Sequence, residues 1–268
     1  MKIKQIFKFP EPRVKGRIIN RYKRFLSDIA LESGEIVQAH VPNSGSMQTC
    51  WLPDQPVILS DHSCNPARKL KYTLEAVKMP DGWVGVNTNN PNYAVKNAIE
   101  MGLIEKLAGY QFLLPEVKIS STSRLDLMLW SENSKLQIQN FVSKNRNPVQ
   151  IPRPPNLNSQ KSVCFVEIKN VTLLEKDGII SFPDAITKRG QKHLEELIKL
   201  KNQGFRSVIL FFVERNSAKY MTTARDIDPE YDRLLREAIS HHGVEAIAIK
   251  VIIKEDGLYL DSNLEIRL

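Results

Sequence analysis

Asp126 in SRLDLMLW and the pair Glu167 and Lys169 in VCFVEIKNV each sit inside an apolar, strand-like run. Strand side chains alternate between faces, so Leu125, Leu127 and Leu129 point one way and Arg124, Asp126 and Met128 the other. By the same rule Glu167 and Lys169 share a face, while Val166 and Ile168 enter the opposite layer. A charge inside a buried strand is costly unless it is paired or holds a metal. If the two strands are neighbours, two carboxylates and an ammonium converge on one spot. Carboxylates about 4 Å apart repel by roughly 4 kcal/mol at an effective dielectric of ~20, so the pair needs a cation between them. Mg²⁺, or Mn²⁺ in its place, suits these hard oxygens and keeps water positions open for a phosphate. Lys169 would then hold the attacking water or offset charge on the phosphate. The alternative is a Glu167–Lys169 ion pair on a solvated sheet face.

The elements that must position these groups change character near residue 86. Residues 1–85 offer short β runs (RIINRYKRF, LSDIALE, EIVQAHV, PVILSD, YTLEAVKM and WVGVNT) separated by Ser-Gly, Pro-Asp and Asp-Gly turns. Strands so spaced, with no helical stretch, predict a small closed barrel of the oligonucleotide-binding (OB) type. The loop Pro42–Met47, PNSGSM, reads as a polar turn, with Ser44 or Ser46 as candidate phosphate contacts or nucleophiles. From Pro91, Ala94, Val95, Ala98, Ile99 and Leu103 recur at helical spacing after a capping Asn92, and the helix is expected to reach Gly109. Two strands, the E-x-K strand, a helix from Thr187 to about Gln203 and a further strand then give the order α-β-β-β-α-β. Residues 131–161 are a polar intrusion between the site strands, with five basic residues and one acid, and read as a surface excursion.

Charge is concentrated at the amino end. Residues 1–24 hold nine Lys or Arg against the single acid Glu11, and the rest of the chain is neutral in balance. Arg13, Lys15, Arg17, Arg21, Lys23 and Arg24, interleaved with Tyr22, make a candidate phosphate-binding surface; a solvated basic face is the alternative. In the second helix Arg189, Lys192 and His193 fall at i, i+3 and i+4, a cationic face suited to phosphate or simply to water. Glu116 is a weaker candidate ligand on the strand before Asp126, and Asp184 is read as the cap of the second helix. Three scattered cysteines (Cys50, Cys64 and Cys164) argue for a reducing cytoplasm, and His62 with Cys64 reads as a polar turn rather than zinc. No apolar run approaches the ~18 residues of a membrane span, and no signal peptide is expected.

The series GRIINRYKRF, AHVPNSGSM, WVGVNTNNPN, RLDL, FVEIKNVTL, FPDAITKRGQKHLEEL and DPEY resembles, in order, the sugar fermentation stimulation protein family. The resemblance implies a two-domain α/β (α+β) chain. An OB-like N-terminal barrel (1–85) is followed by a restriction-endonuclease-like domain (86–268) of the PD-(D/E)xK kind. Its nuclease pattern falls on Asp126, Glu167 and Lys169, with Thr187, Arg189, Lys192 and His193 as the helix block. It further implies a cytoplasmic protein that binds DNA without strong sequence preference and is linked to regulation of sugar (maltose) utilisation. The 131–161 stretch departs from the family, whose members join these strands by a short turn. Three functions stay open: a DNA-binding regulator carrying a nuclease-like metal site, an active Mg²⁺-dependent endonuclease, and an RNA-binding or RNA-processing protein. A homodimer is compatible with such a domain, although no heptad pattern supplies an interface.

Overall fold

The computed structural model describes residues 3–132, 138, 141, 148–151 and 163–268, so the 131–161 excursion lies largely outside the described residues. After β1 (Lys4–Lys8), the chain forms a barrel from β2 (Arg13–Tyr22), β3 (Leu26–Leu31), β4 (Ile36–His40), β5 (Pro56–Asp61) and β6 (Tyr72–Met79). β7 (Gly82–Gly85) adds a hairpin to β6. Pairing of β4 with β6 closes the barrel, and Ile18, Ile29, Leu59, Leu74 and Val77 fill it. The OB expectation is met. Its amino boundary shifts, because β1 leaves the barrel and pairs with a carboxy-terminal strand of the larger sheet. KQIFK is too short and too charged to declare its partner from sequence. The run expected as one strand through Phe25 instead turns at Lys23 and Arg24, both at positive φ.

The second unit begins with α1 (Asn90–Glu100), whose N-cap position is Asn89, with no side-chain capping bond, and not Asn92. It ends well before Gly109, because Gly102 takes a positive φ and stops the helix. β8 (Phe112–Lys118), β9 (Arg124–Trp130), β10 (Val149–Gln150) and β11 (Cys164–Val171) follow. A small sheet takes β12 (Leu173–Leu174), β13 (Ile179–Phe182), β15 (Tyr220–Thr223) and β18 (Glu265–Ile266). α2 (Lys188–Asn202), β14 (Arg206–Val213), α3 (Pro229–Ser240), β16 (Glu245–Lys254) and β17 (Gly257–Asn263) complete the chain. The main sheet runs β1-β17-β16-β14-β11-β9-β8-β10, with β11, β14 and β16 parallel and β8, β9 and β17 antiparallel. The expected α-β-β-β-α-β order is α1, β8, β9, β11, α2 and β14.

Both faces of the parallel strands are covered, which is why they read as continuous apolar runs. Val166, Ile168, Leu210 and Phe212 meet α1 and the barrel residues Ile58 and Ala76. Phe165, Ile209 and Phe211 meet Leu194, Leu197, Tyr231 and Leu235 of α2 and α3. The barrel is also clamped to the sheet by a buried arginine. Arg215 donates in bidentate fashion to Asp81 at 3.0 and 3.0 Å, and to the carbonyls of Thr49 and Thr172 at 2.7 and 2.9 Å. Next to it Glu214 is fully buried against Gly85, with both carboxylate oxygens lacking a hydrogen bond among the described residues. Burial pushes its carboxyl up to about 8.

Candidate metal and nucleic-acid site

The site forms where β9 and β11 stop pairing. Their antiparallel ladder runs only from Cys164 opposite Leu129 to Val166 opposite Leu127. One step further, the Asp126 side chain takes the place of the neighbouring strand: its Oδ2 accepts the Ile168 amide at 2.7 Å. Its Oδ1 accepts from Asn92 Nδ2 on α1 at 2.9 Å. Burial, and then the nearby charge of Glu167, push the Asp126 carboxyl up to about 7. A cation beside it would reverse that effect.

Glu167 is buried, 3% exposed. Its Oε1 accepts from Lys169 Nζ at 2.7 Å and from His193 Nδ1 of α2. A carboxylate only accepts, so Nδ1 carries the ring hydrogen here, and Lys169, 3.3 Å from that nitrogen, donates to Glu167. Burial raises the Glu167 carboxyl, but Lys169 and His193 outweigh it and hold the group below its ordinary value. Glu167 Oε2 is buried with no hydrogen-bond partner among the described residues. An ionised oxygen left so is costly unless a cation completes it.

Thus Asp126, Glu167 and Lys169 come together as their strand positions predict. His193 is corrected: at 5% exposure it is no phosphate contact but a buried donor that orients Glu167. It lies beside the Leu194 and Leu197 stripe that α2 lays on the sheet, and the fold rolls that edge inward. Lys192 is directed elsewhere, donating to Thr122 Oγ1 at 2.9 Å in the β8–β9 turn. Arg189 stays exposed and borders the site. Thr187 caps α2 by accepting from the Gly190 amide at 3.0 Å.

Asp184 is therefore not the cap. It crosses to the barrel, where its Oδ2 accepts from Ser46 Oγ and the Met47 amide, each at 3.2 Å. A Cβ on Gly45 would come within 2.5 Å of that same oxygen, so a larger residue there would push the Asp184 carboxylate off the loop. Arg21 braces the loop from the other side, donating to the carbonyls of Asn43, Gly45 and Ser46 at 2.9 to 3.1 Å. The PNSGSM loop and the Asp184–Thr187 segment thereby wall a cleft of about 810 Å³ between barrel and sheet. Asp126, Glu167 and Lys169 lie in it, with Arg21, Arg24 and Arg189 around it.

The amino-terminal cations divide. Arg13 pairs with Glu11, Lys15 with Glu255 at 2.8 Å and Arg17 with Asp54 at 3.3 Å, and none of the three borders the cleft. Lys23 sits at the hairpin tip beside Arg24. Glu116, at the register position opposite Asp126, holds a positive φ of 54° inside β8 and borders the cleft. A non-glycine residue in that conformation inside a strand is held there by its surroundings. Among the described residues no three His, Cys, Asp or Glu side chains are grouped closely enough to cage a metal. A cation on Asp126 and Glu167 would therefore complete its shell with water or phosphate oxygens, as Mg²⁺ commonly does.

A closed five-strand OB barrel followed by a mixed α/β unit, with Asp126, Glu167 and Lys169 in the cleft between them, defines a two-domain fold class. Residues 19–86 match the SfsA N-terminal OB domain, and residues 155–257 match the sugar fermentation stimulation protein RE domain. A sugar fermentation stimulation protein homolog of Geotalea uraniireducens is 43% identical over 259 residues, covering 97% of this chain and 99% of its own. One from Rhodospirillum rubrum is 43% identical over 244 residues, with 90% and 91% covered. A solved structure, "The structure of Pyrococcus Furiosus SfsA in complex with Ca2+", shares the fold with a TM-score of 0.79 at 21% identity, covering 99% of this chain and 100% of that one. The chain belongs to the sugar fermentation stimulation protein family.

Proposed function

We propose that this protein binds DNA without strong sequence preference in the cleft between barrel and sheet, around a divalent cation held by Asp126 and Glu167. The observation that carries this reading is Glu167 Oε2, a buried carboxylate oxygen with no hydrogen bond among the described residues, beside the Asp126 carboxyl. Two hard oxygens fit Mg²⁺ or Mn²⁺. The Pyrococcus furiosus protein named above is described in complex with Ca²⁺, another hard cation, which supports the same choice. Arg24 and Arg189 supply the charge for backbone phosphates. The absence of strong preference follows from contacts that meet phosphates rather than base edges. The family's name supports placing this binding in the regulation of sugar utilisation.

A second reading, a Mg²⁺-dependent endonuclease, is favoured by Lys169 standing 2.7 Å from Glu167 within the same cleft. When bound, the cation would supply positive charge to the scissile phosphate and lower the pKa of a water. Lys169 would orient that water, and His193 would keep Glu167 ionised and aimed.

Fluorescence anisotropy with labelled duplex DNA, single-stranded DNA and RNA, in Mg²⁺ or EDTA, tests the first reading. It expects salt-sensitive binding of DNA, strengthened by Mg²⁺ and weakened in Arg24→Ala and Arg189→Ala. A stronger preference for RNA would move the protein to RNA processing, and no binding at all would end the proposal. Supercoiled plasmid with Mg²⁺ or Mn²⁺ separates the two readings, because only an enzyme nicks it and loses the activity in Asp126→Asn and Lys169→Met.

A further inference from the structure

A second groove, of about 910 Å³, also reaches Asp126. The two share Asn89, Asn92, Glu116 and Asp126 along their common wall, so a chain lying across Asp126 enters both. This groove differs in chemistry from the cleft. Its surface is mainly apolar, with Tyr93 and Phe7 along it, Arg68 beside them, and Lys96 held by Glu100 at 2.6 Å. Tyr93 is 60% exposed on α1. Phe7 stacks against its ring, with centroids 6.2 Å apart and planes at 23°, which braces a ring that still stays largely exposed. Arg68 is fixed by donating to Thr73 Oγ1 at 2.9 Å.

A braced, exposed aromatic ring near an arginine, continuous with the proposed phosphate-binding cleft, is the arrangement that takes unstacked bases of a single strand. We infer that the groove receives the unpaired strand of a nucleic acid as it leaves the Asp126 site, with one base stacked on Tyr93 and a phosphate near Arg68. A duplex keeps its bases stacked on one another and offers Tyr93 no open face. The groove therefore selects single-stranded or frayed substrate. The inference rests on the proposed nucleic-acid binding and goes beyond it by naming the strand form.

The test uses single-stranded oligonucleotides carrying 2-aminopurine at successive positions, with a blunt duplex of the same sequence as comparison. Wild type should quench one position strongly and bind the single strand more tightly than the duplex. Tyr93→Ala should abolish that quench and weaken single-strand binding about tenfold or more, with the duplex changed less than twofold. Tyr93→Phe should restore the quench, since the ring and not the hydroxyl does the stacking. Arg68→Ala should weaken single-strand binding alone. Duplex and single strand bound equally, with Tyr93→Ala silent in both, would overturn the groove while leaving the binding proposal standing. Wild type that binds no nucleic acid overturns both.

Discussion

Asp126 Oδ2 accepts the backbone amide of Ile168 at 2.7 Å, at the point where the β9–β11 ladder ends. A side chain thus completes the sheet's hydrogen bonding, and the same bond sets Asp126 beside Glu167. Asp126→Asn keeps an oxygen for that amide and removes the charge repelled by Glu167, so it should fold with a Tm at or above wild type. Asp126→Ala leaves the buried amide unmet and should cost about 1–3 kcal/mol, some 2–4 °C of Tm per kcal/mol for a chain of this size. Paired thermal melts of the two variants check this.

The cations around the cleft should differ in their effect on salt dependence. Arg24→Ala and Arg189→Ala should each reduce the log–log slope of DNA affinity against salt by about 1. Lys15→Ala and Arg17→Ala should leave it unchanged, because those side chains are engaged by Glu255 and Asp54 away from the cleft. His193→Leu should also leave the slope unchanged, although it removes a donor to Glu167. Anisotropy titrations at four or more salt concentrations distinguish these groups.

Arg215 joins barrel and sheet through Asp81, Thr49 and Thr172. Arg215→Ala strands Asp81 and two carbonyls in the interface and should destabilise the fold by about 3–5 kcal/mol. Urea unfolding should register the loss, with barrel and sheet no longer melting as one transition.

Glu214 gives a stability effect with a defined sign. Its carboxyl stands at about 8 in the folded chain against an ordinary 4.5. Between those values the folded state keeps a proton that the unfolded chain has released, so stability falls as pH rises from about 5 to 8. Glu214→Gln removes the dependence and should be the more stable protein at pH 8, by on the order of 4 kcal/mol. Denaturation series at pH 5, 6.5 and 8 on both proteins measure it.

Strand alternation made the site acids legible: an Asp and an E-x-K on otherwise apolar runs have few other reasons to be there. Barrel strands and the α-β-β-β-α-β order were legible for the same reason, since their periodicity and turn residues are local. What was not legible depends on long-range docking. Nothing in KQIFK announces pairing with residues 257–260. The helical spacing that groups Arg189, Lys192 and His193 does not say which edge of that face is buried, and His193 turns inward while Arg189 stays out. Asp184 has a capping residue's type and place, yet a barrel loop more than 130 positions earlier claims its carboxylate. Asn92, which holds Asp126, has no sequence signal beyond its place at a helix start.

That Asp126 and Glu167 share one divalent cation is tested most directly by titrating Mn²⁺ into the protein and following free ion by electron paramagnetic resonance, with Asp126→Asn and Glu167→Gln in parallel. Wild type should take up one Mn²⁺ in a saturable manner, more tightly when a short DNA is present, and both folded variants should lose that site. Saturable uptake unchanged in the two variants, or no uptake by wild type with or without DNA, would contradict it.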